Sequence, residues 1–173
     1  MRRRTAAALT AIAALMLAGC SATSSNSSGD SGSPAKVDAA VSKPLTASTV
    51  FTKLSGTVAS AKLSGTVTAD NDPNHLLGRP NQYTSKITFT DSRIKTSDVE
   101  GTDKGDVERG GAIEVFGDGA GAQARAKYIQ AVTKSLPALS EYDYVHGAVL
   151  VRVSHYLTPT QAAEYKTAAN GLG

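Results

Sequence analysis

Residues 83–90 read Tyr83-Thr84-Ser85-Lys86-Ile87-Thr88-Phe89-Thr90. A period of two with β-branched and aromatic residues is the pattern of a β-strand with one buried face. Tyr83, Ser85, Ile87 and Phe89 are expected on the covered side, with Thr84, Lys86, Thr88 and Thr90 toward solvent.

Downstream, a polar connection from Asp91 to Asp106 leads to a second strand at 107–116, where Gly110 and Gly111 suggest a bulge. Tyr142 to Ser154 reads as a hairpin turning at His146 and Gly147, with Val149, Val151 and Val153 on a covered face. Its first arm puts Tyr142 and Tyr144 on that face and Glu141 and Asp143 on the solvated one. Upstream, the near-duplicate units Lys53–Ala61 and Lys62–Asp70 suggest a repeat, but two copies cannot build a solenoid. The first unit is read as ending a helix; the second, with Leu63 and Val67 alternating, begins a strand.

Three helices frame these strands. Val50, Phe51, Leu54 and Val58 stand at helical spacing behind Ser48 as an expected cap. Ala122, Ala126, Ile129, Val132 and Leu136 mark a central helix stopped by Pro137. Thr158, Pro159 and Gln161 form a capping-box start to a last helix that Asn170 and Gly171 end. This order predicts a single α+β domain: an antiparallel sheet of four to five strands with helices packed on one face.

The domain begins only after a long preamble. Arg2, Arg3 and Arg4 precede an apolar run that ends in Leu17-Ala18-Gly19-Cys20. That is the layout of a signal peptide with a lipobox, too short for the roughly 20 apolar residues of a membrane span. Residues 1–19 are therefore expected as a lipoprotein signal peptide, and Cys20 as the site of lipidation. The triple arginine suits the general and the twin-arginine export routes alike. Two acyl chains, at about 0.8 kcal/mol per buried methylene, would hold the chain on the outer face of the cytoplasmic membrane. Residues 20–43 are Ser/Gly-rich without apolar periodicity and read as a disordered tether with a reach of about 26 Å. Residues 44–173 carry the domain.

Cys20 is the only cysteine, so no disulfide or cysteine-based metal site is expected. The net charge of +3 comes from 18 basic and 15 acidic residues, and three of the basic ones belong to the signal peptide. A near-neutral mature chain with no Trp argues against nucleic acid as a partner.

The segment DPNHLLGRPNQYTSKITFTDSR (72–93), with VERGGAIEVF (107–116) and EYDYVHGAVLVRVS (141–154), resembles a group of small secreted actinobacterial lipoproteins. The resemblance spans nearly the whole mature domain. It implies an extracytoplasmic location and a single domain, and brings no activity, substrate or cofactor.

The loop 70–82 is the candidate binding site, because it is long for a strand connection and crowds polar residues around Leu76 and Leu77. Asp72, Asn74, His75, Arg79 and Tyr83 are its candidate residues. The plainer reading has the leucines plugging the core, Asp72 and Asn74 making turn hydrogen bonds, and Arg79 pairing with a carboxylate. Asp70, Asp72 and Asn74 also open like a calcium loop, but His75 stands at the turn glycine and Asn81 at the closing Glu. Gly117, Gly119 and Ala122 match a dinucleotide-turn spacing without the parallel βαβ unit it needs. The three histidines have no metal-ligand spacing, and neither metal nor cofactor is expected. These readings favour a non-enzymatic membrane-anchored binding module with a protein, cell-wall or small-molecule partner; a secreted hydrolase using the Asp70–Tyr83 loop is the alternative.

Overall fold

The computed structural model describes residues 44–172; the expected signal peptide, Cys20 and tether lie outside the described residues. The first helix, α1 (Ala47–Thr57), is capped by Thr46, two residues before the expected Ser48, because Thr46 and Thr49 satisfy each other. Thr46 Oγ1 accepts from the Thr49 N–H at 3.2 Å, and Thr49 Oγ1 accepts from the Thr46 N–H at 3.1 Å. This reciprocal box closes two orphan donors and brings Ala47 into the buried stripe with Val50, Phe51 and Leu54.

Five strands follow: β1 (Ala61–Thr66), β2 (Ser85–Asp91), β3 (Gly110–Val115), β4 (Glu141–His146) and β5 (Val149–Ser154). They form one sheet in the order β1-β2-β3-β5-β4, and every neighbouring pair is antiparallel. The β4–β5 hairpin turns at Gly147, whose φ of 52° is left-handed and suits glycine. β3 and β4 run parallel on either side of β5, and α2 (Gly119–Ser135) joins them as a crossover. The last helix, α3 (Pro159–Asn170), has the expected capping box, with Thr158 and Gln161 bonded to each other's backbone N–H.

The α+β antiparallel architecture is as the patterning predicts, with the helices divided between two faces rather than gathered on one. Ile87, Phe89, Ile113, Val115, Val149, Val151 and Val153 form the main core with α1 and α3, and Tyr142 and Tyr144 pack against it. On the opposite face α2 lies over β4 and β5, where Ala122, Ala126 and Ile129 meet Leu150, Phe116 and Tyr83 in a second cluster. A helix joining two parallel strands must cross one face of the sheet, and the handedness of such connections selects which.

Covering the second face changes several strand positions. Lys86 and Thr88, expected toward solvent, are buried. Tyr83 precedes the first paired residue of β2 and turns away from the Ile87 side into the second cluster. Glu141 and Asp143 face α2 rather than open water. Leu63, conversely, remains 53% exposed on the edge strand β1.

The glycines of β3 mark close packing instead of a bulge. Pairing runs unbroken through Thr90–Gly110 and Phe89–Gly111. A Cβ on Gly110 would sit 2.6 Å from the backbone of Asp91 and Phe89, and one on Gly111 would strike Arg152 O and the Phe89 ring. The register shift occurs in β1, between Leu63 and Gly65. Among the described residues no helix is long and apolar enough to cross a membrane.

Candidate functional site

The 67–84 connection is organised by Asp72, which is 1% exposed. Its carboxylate accepts from the backbone N–H of Leu76 at 2.8 Å, Leu77 at 2.9 Å and Asn74 at 3.2 Å. The Tyr83 hydroxyl donates to the same carboxylate at 2.7 Å. Burial opposes the charge on Asp72, but these donors, Tyr83 first, outweigh it and hold the carboxyl down to about 2. Burial and Asp72 in turn push the Tyr83 hydroxyl well above the ordinary tyrosine range. Asp72 and Tyr83 therefore serve as the internal brace of the loop, while Leu76 and Leu77 sit half-buried against the second cluster.

The other loop residues diverge. His75 and Arg79 are exposed and line a depression of about 220 Å³ with Asp72 and Leu77. The carboxylate partner expected for Arg79 is not present among the described residues. His75 takes a φ of 51° and Asn81 one of 60°, so two side-chain-bearing residues supply the left-handed turns. Asn74 points the other way and lines a larger cavity beneath α2.

That cavity lies over the second face of the sheet, whose polar alternates form one ion network. Glu114 on β3 is completely buried. Lys86 Nζ lies 3.2 Å from its Oε1, Arg152 Nη1 3.2 Å from the same atom, and Arg125 Nε 3.2 Å from Oε2. Lys86 is the direct cross-strand partner of Glu114, whereas Arg152 reaches it diagonally from β5 and Arg125 descends from α2. Burial alone would raise the Glu114 pKa, but Lys86, Arg152 and Arg125 outweigh it and keep the carboxylate ionised. Burial draws the Lys86 ammonium below the usual lysine range, against the pull of Glu114.

The remaining edge of the Arg152 guanidinium clasps Glu141, with Nε to Oε1 at 2.7 Å and Nη2 to Oε2 at 2.8 Å. Asp143, two residues along the same strand face, has its Oδ1 buried without a hydrogen-bond partner. Burial, and then the adjacent Glu141 carboxylate, push Asp143 up to about 8, with Arg152 pulling the other way. Burial and Glu141 both favour the protonated form of Asp143. Salt bridges thus join three cations, Lys86, Arg125 and Arg152, to two carboxylates, Glu114 and Glu141.

A pH experiment follows from Asp143. Between its unfolded value of roughly 4 and about 8, the folded chain binds the extra proton, so stability falls as pH rises through this window and levels off above it. Asp143→Asn removes that slope. Because the group is only half-buried, the expected gain at pH 8 is about 1–3 kcal/mol, read from urea midpoints at pH 5 and pH 8. Equal pH dependence in the variant and the wild type would refute the assignment.

The cavity has a volume of about 390 Å³ and is walled by Lys86, Ala112 and Arg152 from the sheet, Arg125, Tyr128, Ile129 and Val132 from α2, and the 105–108 segment. A second hollow of about 340 Å³ adjoins it at Lys86 and Pro73. Arg125 spends only Nε on the protein; its two terminal nitrogens make no hydrogen bond among the described residues. Its guanidinium lies 5.7 Å from the centre of the 62% exposed Tyr128 ring. Among the described residues no three His, Cys, Asp or Glu are grouped to hold a metal ion.

This charged face went unnoticed in the sequence. Lys86, Glu114, Glu141, Asp143 and Arg152 all fall at polar positions of alternating strands, which read as solvated. One signal was available: Arg125 stands within the stripe Ala122, Ala126, Ile129, at a spacing that faces the core. No family model, curated protein or solved structure matches this chain.

Proposed function

We propose that the chain is a lipoprotein held on the outer face of the cytoplasmic membrane through Cys20, and that its α+β domain is a non-enzymatic binding module. Its ligand face is the cavity between α2 and the sheet. One observation carries the binding reading: an open hollow of about 390 Å³ is floored by a buried ion network whose Arg125 retains unused donors. Hollows of a few hundred Å³ with apolar walls and a few convergent polar groups suit small molecules. A hydrolase working from the 70–83 loop draws less support, since the Asp72 carboxylate is occupied by four donors and held far below the range of a general base.

The test has two arms in the native cell envelope. Cys20→Ser is expected to abolish metabolic fatty-acid labelling and release the protein from membranes. Val132→Trp, which fills the half-buried cavity wall, is expected to lose a small molecule that native mass spectrometry detects on the wild type. Lipid-free wild-type protein would overturn the anchoring; an occupant unaffected by Val132→Trp would overturn the placement of the site.

A further inference from the structure

We propose that the cavity under α2 is a receptor for a small amphipathic organic anion, whose carboxylate or phosphate head is gripped by the free edge of the Arg125 guanidinium and by Lys86 Nζ. This rests on the binding-module reading and names the ligand class for the same site. Arg125 is already held by two contacts: Nε is bonded to Glu114 at 3.2 Å and Cζ lies over the Tyr128 ring, 5.7 Å from its centre. A guanidinium fixed in this way loses little freedom on binding an anion and offers two parallel N–H groups at the spacing of carboxylate or phosphate oxygens. Among the described residues Lys86 Nζ has one ion-pair partner, Glu114, and lies 5.0 Å from the centre of the Tyr83 ring; its side chain is 6% exposed. It lines both adjoining hollows and so borders the same space as Arg125.

The cavity is not uniformly basic. Asp106, Glu108 and Glu141 also line it. Glu141 is fully engaged by Arg152, and Asp106 accepts from the Asp103 N–H at 2.7 Å. Asp106 and Glu108 are half-exposed, whereas the Lys86 and Arg125 side chains are 6% and 11% exposed. Charges withdrawn from water act more strongly than screened ones, so at the floor Lys86, Arg125 and Arg152 are set chiefly against the two carboxylates they pair with, Glu114 and Glu141, rather than against Asp106 and Glu108. Beyond the floor, Ile129, Val132 and Leu139 form a wall with no charge to match. A head that binds Arg125 and Lys86 therefore carries an apolar body.

The discriminating experiment titrates the full-length chain with hexanoate, hexyl phosphate, hexanol and hexylamine, following NMR shifts of the Arg125 Nε–H and of the Ile129, Val132 and Arg152 amides. Hexanoate or hexyl phosphate is expected to bind at these residues at least about tenfold more tightly than hexanol, and the stronger of the two identifies the head as carboxylate or phosphate. Arg125→Lys keeps a cation beside Glu114 but loses the fork, and is expected to weaken the anion about tenfold without unfolding the chain. Tyr128→Ala, at an exposed position, is expected to weaken it about threefold through lost stacking. Hexanol or hexylamine binding at the same residues as tightly as the anions would overturn the anion assignment while leaving the binding module intact. The binding module itself falls on a different result: no probe perturbs these residues, and no envelope-derived occupant is lost in Val132→Trp.

Discussion

Glu114→Ala is expected to destabilise the domain by about 3–5 kcal/mol, the cost typical of breaking a buried ion network from one side. The carboxylate has no exposure and is the only one that Lys86 and Arg125 pair with among the described residues. Its removal leaves Lys86, Arg125 and one edge of Arg152 facing one another beneath the cavity and the hollow that adjoins it. The double variant Glu114→Ala with Lys86→Met removes the most buried of the stranded cations and should recover a substantial part of the loss. Urea unfolding of the four members of this cycle measures the coupling. A single-variant cost below about 1 kcal/mol would show that water or relaxation replaces Glu114, and the network would not be the floor described above.

The second large effect belongs to Asp72→Ala, expected to cost about 2–4 kcal/mol. Three backbone N–H groups and the hydroxyl of a fully buried tyrosine lose their shared acceptor at once. Asp72→Asn keeps the shape and one acceptor oxygen and should cost about half as much. The pH signature is opposite to that of Asp143. With a folded value near 2, below its unfolded one, Asp72 contributes stability that is present above about pH 4 and lost as pH falls toward 2. Amide exchange at Leu76 and Leu77 reports the same change locally. If those amides remain protected in Asp72→Ala, the loop is held by its leucines and not by the carboxylate.

Together the two variants separate the two polar centres of the domain. Asp72 acts within one loop, and its loss should loosen 72–84 first. Glu114 ties β2, β3, β5 and α2, and its loss should lower the global stability without a local prelude.

Much of the fold was legible because local periodicity reports it directly. The strand at 85–91, the hairpin at 141–154 and the caps of α3 each depend on residues within a few positions of one another. The structure departs from the patterning where other contacts compete with it. Gly110 and Gly111 suggest a bulge in isolation, yet their lack of side chains answers to Phe89 and the Arg152 backbone across the sheet. Ser48 is an acceptable cap residue, but Thr46 wins because it gains both the reciprocal bond with Thr49 and the burial of Ala47. The length and polar crowding of the 70–82 loop are plain in the sequence; that Asp72 and Tyr83 bond each other, while Asn74 faces a different hollow from His75 and Arg79, depends on how that loop closes.

The sequence alone determined which side chains share a face, since a strand's alternation and a helix's stripe are properties of the backbone and hold wherever the element lies. Alternation puts Lys86, Glu114 and Arg152 each on the polar side of its own strand, without saying that the three meet or whether water or protein meets them. Only the tertiary structure decided that. The order β3-β5-β4 makes the connection from β3 to β4 a crossover, α2 is carried onto the second face, and Arg125 arrives over Glu114. Enclosure then converts a solvated row of charges, worth little in water, into a desolvated network whose members must pair or find a ligand.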